Sequence, residues 1–211
     1  MASKEHLALV QSLIKDGYLH TSHIVEAFRT IDRVHFVPDA LKNGAYVNAP
    51  LPIGHGQTIS QPLTVAFMFE LLQPESGHRV LDVGAGSGWT TALLAHIVGV
   101  KGKVLAVERV QELAEFGKIN VAKFDFIDKG IVEFLCADGS RGYPAGAPYD
   151  RILAGAAAFG QIPQAWKEQL AVGGRIVAPV DMSIVLIERN SDRTFTEKDY
   201  FGFSFVPLIR E

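Results

Sequence analysis

From residue 79 onward, short runs rich in valine, isoleucine and leucine alternate with stretches of helical spacing, and no other feature of this chain constrains its fold as strongly. The apolar runs are "RVLDVG", "KVLAVE", "IVEFLCAD", "YDRILAGAA" and "GGRIVAPV"; between them lie "WTTALLAHIV", "VQELAEFGKINVAKF" and "IPQAWKEQL". Strands apolar on both faces need cover on both faces, and helices that recur between them supply it. The expectation is an α/β fold with a doubly wound, mostly parallel sheet. The tail departs from the alternation. "MSIVLIERN" and "TFTEKDYFGFSFVPLI" flank "NSDR", a turn signal, which predicts an antiparallel C-terminal strand at the sheet edge. Upstream, residues 3–16 and "TSHIVEAFRTI" read as an N-terminal helical extension, the first with Leu7, Val10, Leu13 and Ile14 on one face and the second with Thr21 or Ser22 as N-cap. "PLTVAFMFELL" is apolar nearly all round, so it reads as a buried helix with Pro62 in its first turn. Residues 39–61 read as one long loop, a length that points to a functional segment. A chain of 211 residues fits one domain, with 1–61 as N-terminal helices and substrate loop and 62–211 as core.

Bulk properties exclude several classes. The formal net charge of −3 provides no field that would draw the chain to nucleic acid or anionic lipid. A single cysteine, Cys136, makes an intrachain disulfide impossible and favours a reducing compartment. The first residues read as an amphipathic helix rather than a signal peptide, and no apolar run approaches a membrane span. The expected setting is the cytoplasm, and the expected state a monomer.

"VLDVGAGSGWT" places Gly84, Gly86 and Gly88 between a strand and a helix, where backbone N–H groups face a ligand. Alone, such a loop is a weak signal. Acids strengthen it: Asp82 precedes the loop, Glu108 ends the next strand 20 residues after Gly88, and Asp138 follows the strand after that. Ligands bind at this edge of open α/β sheets, and an acid at Glu108's place holds a ribose. The glycines run Gly-x-Gly-x-Gly rather than the dinucleotide Gly-x-Gly-x-x-Gly. Asp82 would repel a pyrophosphate but attract an ammonium. S-adenosyl-L-methionine carries an ammonium and no phosphate, so the charge pattern prefers it to NAD.

The segment "PLPIGHGQTISQP" holds no lysine, arginine or carboxylate, which suits a loop that binds a charged small group through backbone N–H groups and hydroxyls. Together with "LDVGAGSG", "AVE", "ADG", "DRILAGAAAFGQIPQAWKEQLAVGGRIVAPV" and "FVPLIRE", it resembles the protein-L-isoaspartate O-methyltransferase family of class I methyltransferases, from about residue 5 to the C-terminus. The resemblance implies a seven-stranded sheet, S-adenosyl-L-methionine as cofactor, and methyl transfer to the free carboxylate of L-isoaspartyl residues in damaged proteins or peptides. Residue by residue, it implies Ser60 as the active-site serine. It implies cofactor contacts from Gln57, Thr58 and Ile59, from Asp82, Gly84, Ala85, Gly86, Ser87 and Gly88, and from Glu108, Arg109, Asp138 and Gly139. It implies substrate contacts from His55, Ser60 and Ala156, and no metal. Leu63, Phe159 and Asp181 fall where the family pattern departs, on the substrate side.

Other residues read as structural. His20 and His23 lack a third metal ligand and read as surface groups; His35 is expected beside Phe36, and Cys136 in the core. Trp89 and Phe159 are candidates for lining the pocket. Ser60 lies in no Gly-x-Ser-x-Gly elbow, so it is not an esterase nucleophile of that type. Two alternatives stay open at this level: another carboxyl methyltransferase on the same scaffold, and a non-catalytic S-adenosylmethionine-binding module.

Overall fold

The structure, a computed structural model, describes residues 3–209; Arg210 and Glu211, the end of "FVPLIRE", lie outside the described residues. Seven strands form one sheet in the order β5-β4-β3-β6-β7-β8-β9. They are β3 (Arg79–Val83), β4 (Lys103–Glu108), β5 (Val132–Cys136), β6 (Tyr149–Ala154), β7 (Leu170–Val180), β8 (Ser183–Arg189) and β9 (Phe195–Phe201). Strands β3 to β7 are parallel. Both β8 and β9 pair antiparallel to their neighbours, so the tail contributes two antiparallel pairings. The chain fills the sheet outward from β3 to β5, then crosses to the other side of β3 with β6. That reversal opens a crevice at the carboxyl ends of β3 and β6.

Helices cover the sheet. α1 (Lys4–Lys15) starts where Ser3 accepts the N–H of His6, a side-chain N-cap. Leu7, expected on its buried face, is 44% exposed; Val10 and Leu13 are buried as expected, and His6 and Leu9 join them there. His6 turns inward because its ring bonds the Phe28 carbonyl at 2.7 Å and lies beside Asp32. α2 (Ser22–Thr30) has Thr21 at the N-cap position, yet the Thr21 hydroxyl donates to Glu70 at 2.6 Å rather than capping. α3 (Pro62–Leu72) carries Pro62 at its start and buries most of its surface. α4 (Trp89–Val98), α5 (Gln111–Ala122) and α6 (Gln164–Gln169) follow β3, β4 and β6. One hydrophobic cluster runs from Val10, Ile24 and Phe28 through Phe69 to Leu93, Val104 and Val177, binding the N-terminal helices to the sheet.

The stretch 39–61 is not a plain loop. It holds a 3₁₀ segment, Asp39–Gly44, and a hairpin of β1 (Leu51–Gly54) and β2 (Gln57–Ile59). His55 and Gly56 make the reversal with φ of 53° and 69°. Two positive φ values fit the twist of a tight hairpin turn; Gly56 accepts its value without strain, whereas His55 is a non-glycine residue in the left-handed region. One further expectation is corrected. Cys136 is exposed, because β5 is an edge strand and Cys136 its last residue. His35 is also exposed and packs edge-on against Phe124, 5.6 Å between ring centroids, while Phe36 stacks on the same ring.

Candidate active site

The loop after β3 lies across the crevice. Gly88 has a φ of 85°, and a Cβ there would sit 2.8 Å from the Gly117 carbonyl oxygen of α5. Its role is thus to let the start of α4 approach α5 closely, and it lines none of the clefts below. Gly155, at the end of β6, passes so close to the glycine loop that a Cβ would lie 2.9 Å from the Gly84 carbonyl oxygen. Between these loops runs a cleft at the carboxyl edge of the sheet. Its wall takes Gln57 and Thr58 from the hairpin, Gly84 and Gly86 from the glycine loop, Glu108 and Arg109 from the end of β4, Gly139, Gly155 and Ala156, and the segment Val206–Ile209.

Glu108 is 7% exposed, and its two oxygens accept the N–H groups of Gly86 at 2.9 Å and Val110 at 3.0 Å. A carboxylate has about four lone-pair sites, so acceptor capacity remains for a vicinal diol. Gly139 reaches the cleft wall, whereas Asp138 is not part of it: Asp138 accepts the N–H of Ser140 at 2.8 Å and lies 4.0 Å from Arg109. Asp82 also lies behind the wall. It is 1% exposed; one oxygen takes the hydroxyls of Thr90 at 2.9 Å and Thr91 at 2.7 Å, and the other has no hydrogen-bond partner among the described residues. Burial pushes its carboxyl up to about 6, against the pull of the two threonines and with a smaller push from Glu108.

Two further recesses join this cleft. One is lined by Ile59, Ala85, Ser87, Trp89 and Thr90 among others. The other is lined by Pro50, Thr58, Ser60, Gln61, Thr64, Gly155, Ser204, Phe205 and Val206, none of them charged. Thr58 and Gly155 belong to all three spaces, which meet there, and Ser60 belongs to both recesses but not to the first cleft. Ser60 is not the cap of α3. Gln61 holds the N-cap position without a side-chain cap, and Asn48 Oδ1 accepts the N–H of Leu63 at 3.0 Å.

The structure does not bring every candidate here. His55 is exposed at the hairpin tip and lines none of these spaces, and Phe159 is 65% exposed, also away from them. Ala156 lines the first cleft rather than the uncharged recess. Gly155, Ser204 and the Val206–Ile209 segment are wall residues that sequence reasoning misses. Gly155 lies in "DRILAGAAAFG" and Val206–Ile209 in the closing "FVPLIRE", while Ser204 precedes that motif.

A model of the family "Protein-L-isoaspartate(D-aspartate) O-methyltransferase" matches residues 3–211. The chain belongs to that family. A protein-L-isoaspartate O-methyltransferase of Methanopyrus kandleri is 45% identical over 96% of this chain and 90% of its own length. One of Aeropyrum pernix is 45% identical over 97% of this chain and 79% of its own. Among solved structures, a Plasmodium falciparum chain in complex with S-adenosyl-L-homocysteine superposes with a TM-score of 0.88 at 22% identity, over 99% of this chain and all of that one. A second, named protein-L-isoaspartate O-methyltransferase, gives 0.85 at 29% identity over 96% of this chain and 65% of its own. The family's cofactor class fits what the cleft offers: an acid with spare lone pairs and glycines where side chains would obstruct.

Proposed function

We propose that this protein transfers the methyl group of S-adenosyl-L-methionine to the free carboxylate of L-isoaspartyl residues in proteins and peptides, the first step of their repair. One observation carries the proposal. An uncharged recess bearing Ser60 opens directly into a cleft with the donors and acceptors a nucleoside cofactor needs. The bound cofactor supplies an electrophilic methyl group on a sulfonium; a carboxylate oxygen forms the new bond to carbon, the sulfur keeps the electron pair, and a methyl ester and S-adenosyl-L-homocysteine result.

In this reading, Glu108 holds the ribose hydroxyls, and the loop from Gly84 to Ser87 lies along the ligand. Ser60 orients the substrate carboxylate through its hydroxyl. That carboxylate, with a pKa of about 4, is already ionised at neutral pH, so the chain supplies no general base. Its contribution is alignment and exclusion of water, and an uncharged wall avoids a lysine or arginine that would hold the nucleophile in an ion pair. The partners are isoaspartyl polypeptides, acted on by a monomer. The net charge of −3 argues against a nucleic-acid partner, and the lone Cys136 supports a cytoplasmic setting.

Labelled methyl transfer to an isoaspartyl peptide and to its normal aspartyl twin tests the proposal. Transfer to the first alone is expected. Equal transfer to both would make this another carboxyl methyltransferase, and cofactor binding without transfer would make it a binding module.

A further inference from the structure

Arg33 is completely buried, yet none of the described residues gives it a carboxylate partner. Its neighbour Asp32 is engaged elsewhere, with His6 and the Tyr46 hydroxyl. Instead, the guanidinium donates to four main-chain carbonyls. Nη1 reaches Ala45 at 2.6 Å and Val47 at 3.3 Å, and Nη2 reaches Ala49 at 3.0 Å and Ser60 at 3.1 Å. The same group lies over the Trp89 ring, 5.4 Å from its centroid, and Trp89 lines the recess it shares with Ser60. An unpaired buried cation is costly to keep. Burial alone lowers its pKa to about 10, which leaves it charged at neutral pH.

We infer that Arg33 is the positioning residue for Ser60: its planar fork ties the strand of chain at 45–49 to the Ser60 peptide, so the serine meets the substrate carboxylate in a preset orientation. The carbonyls it holds lie on both sides of the β1–β2 hairpin, so one group closes the span 45–60 into a loop of fixed width. A lysine ammonium has three donors and no plane, and cannot span four carbonyls in this arrangement. The charge is bonded to the carbonyl of Ser60, which lines a recess with no charged residue in its wall, adding attraction for an anion. This inference rests on the proposed role of Ser60.

The test uses the full chain as wild type, Arg33→Lys, Arg33→Ala and Ser60→Ala. For Arg33→Lys, kcat on an isoaspartyl peptide should fall about a hundredfold, as for a misplacement of about 1 Å, while affinity for S-adenosyl-L-homocysteine stays within about threefold. Added guanidinium ion should restore part of the turnover of Arg33→Ala and none of that of Ser60→Ala. Arg33→Lys at the wild-type rate overturns the inference. So does an Arg33→Lys protein that fails to fold, or that loses cofactor affinity and turnover together, since either makes Arg33 part of the framework only. Wild type that leaves the isoaspartyl peptide unmethylated would instead defeat the reading of Ser60 on which the inference stands.

Discussion

The Glu108 carboxylate accepts the backbone N–H of Gly86 at 2.9 Å, so the end of β4 and the glycine loop after β3 are one rigid unit. Its other oxygen takes the Val110 N–H at the start of α5. The acid therefore shapes the cleft and faces into it. Charge-assisted hydrogen bonds of this kind contribute about 1.5–3 kcal/mol each when buried. Glu108→Gln keeps the size of the side chain but turns one acceptor into a donor facing an N–H. The expected outcome is affinity for S-adenosyl-L-homocysteine weakened about tenfold or more with the fold retained, measured by titration calorimetry and circular dichroism. Unchanged affinity would leave Glu108 as a structural strand end.

Ser60 precedes the N-cap residue of α3 and makes no capping bond there. Loss of a true cap costs about 1 kcal/mol of stability and leaves chemistry alone. Loss of a positioning contact costs about a hundredfold in rate. Ser60→Ala is expected to show the second pattern: kcat down about a hundredfold, with melting temperature and cofactor affinity close to wild type. A variant that melts lower and turns over normally would contradict the role given to this serine.

Gly88 has a φ of 85°, and a Cβ added to it would lie 2.8 Å from both the Gly117 oxygen and Val121 Cγ2. A side chain there is strained by its backbone angle and crowded against α5. Gly88→Ala should cost about 2–4 kcal/mol, which for a chain of this size lowers the melting temperature by about 4–16 °C. Calorimetric melting without ligand checks this. A normal melting temperature with lost cofactor binding would assign Gly88 to the ligand instead.

Asp82 predicts a pH dependence. Its folded pKa of about 6 stands above the reference of 3.8, chiefly through desolvation. A group raised in this way binds its proton more tightly when folded. It contributes stability that is complete below the unfolded value and is lost as pH rises through the folded one. The window is therefore about pH 4 to 6, and its full extent is about 3 kcal/mol. Asp82→Asn cannot titrate. Relative to wild type, the variant should gain about that much stability between pH 4 and pH 7.5, measured by urea unfolding without ligand. Parallel pH profiles for the two proteins would show that Asp82 keeps an ordinary pKa.

Strands, helices and the glycine loop were legible in the sequence because each depends on near neighbours. "KVLAVE" became β4, Lys103–Glu108, residue for residue, and "PLTVAFMFELL" became α3 with Pro62 at its start. A run of apolar residues between glycines carries its own period, and the strand-end acids follow once the strands are placed. Hairpin formation in 51–59 was less visible, since β1 and β2 are very short and their alternation brief. Leu7 and Cys136 show the limit at single residues. Helical spacing indicates an apolar stripe but not how the neighbouring helix rotates it, and an apolar strand does not announce that it will lie at an edge.

Arg33 marks the boundary most clearly. In "DRVHFVP" it is one cation at the end of a helix, indistinguishable by pattern from a solvated surface group. Its place is decided by carbonyls between 12 and 27 residues away, which converge on it only after the chain has closed. The same holds for Val206–Ile209, brought to the wall of the cleft when their neighbour Ala157 bonds Val206 and Leu208 across a long separation. By itself the sequence determined the sheet, the loop that faces a nucleoside, and the uncharged segment that carries Ser60. Only the tertiary structure decided which groups hold that serine and which wall it shares, because buried polar groups must find partners wherever the fold brings them, without regard to distance along the chain.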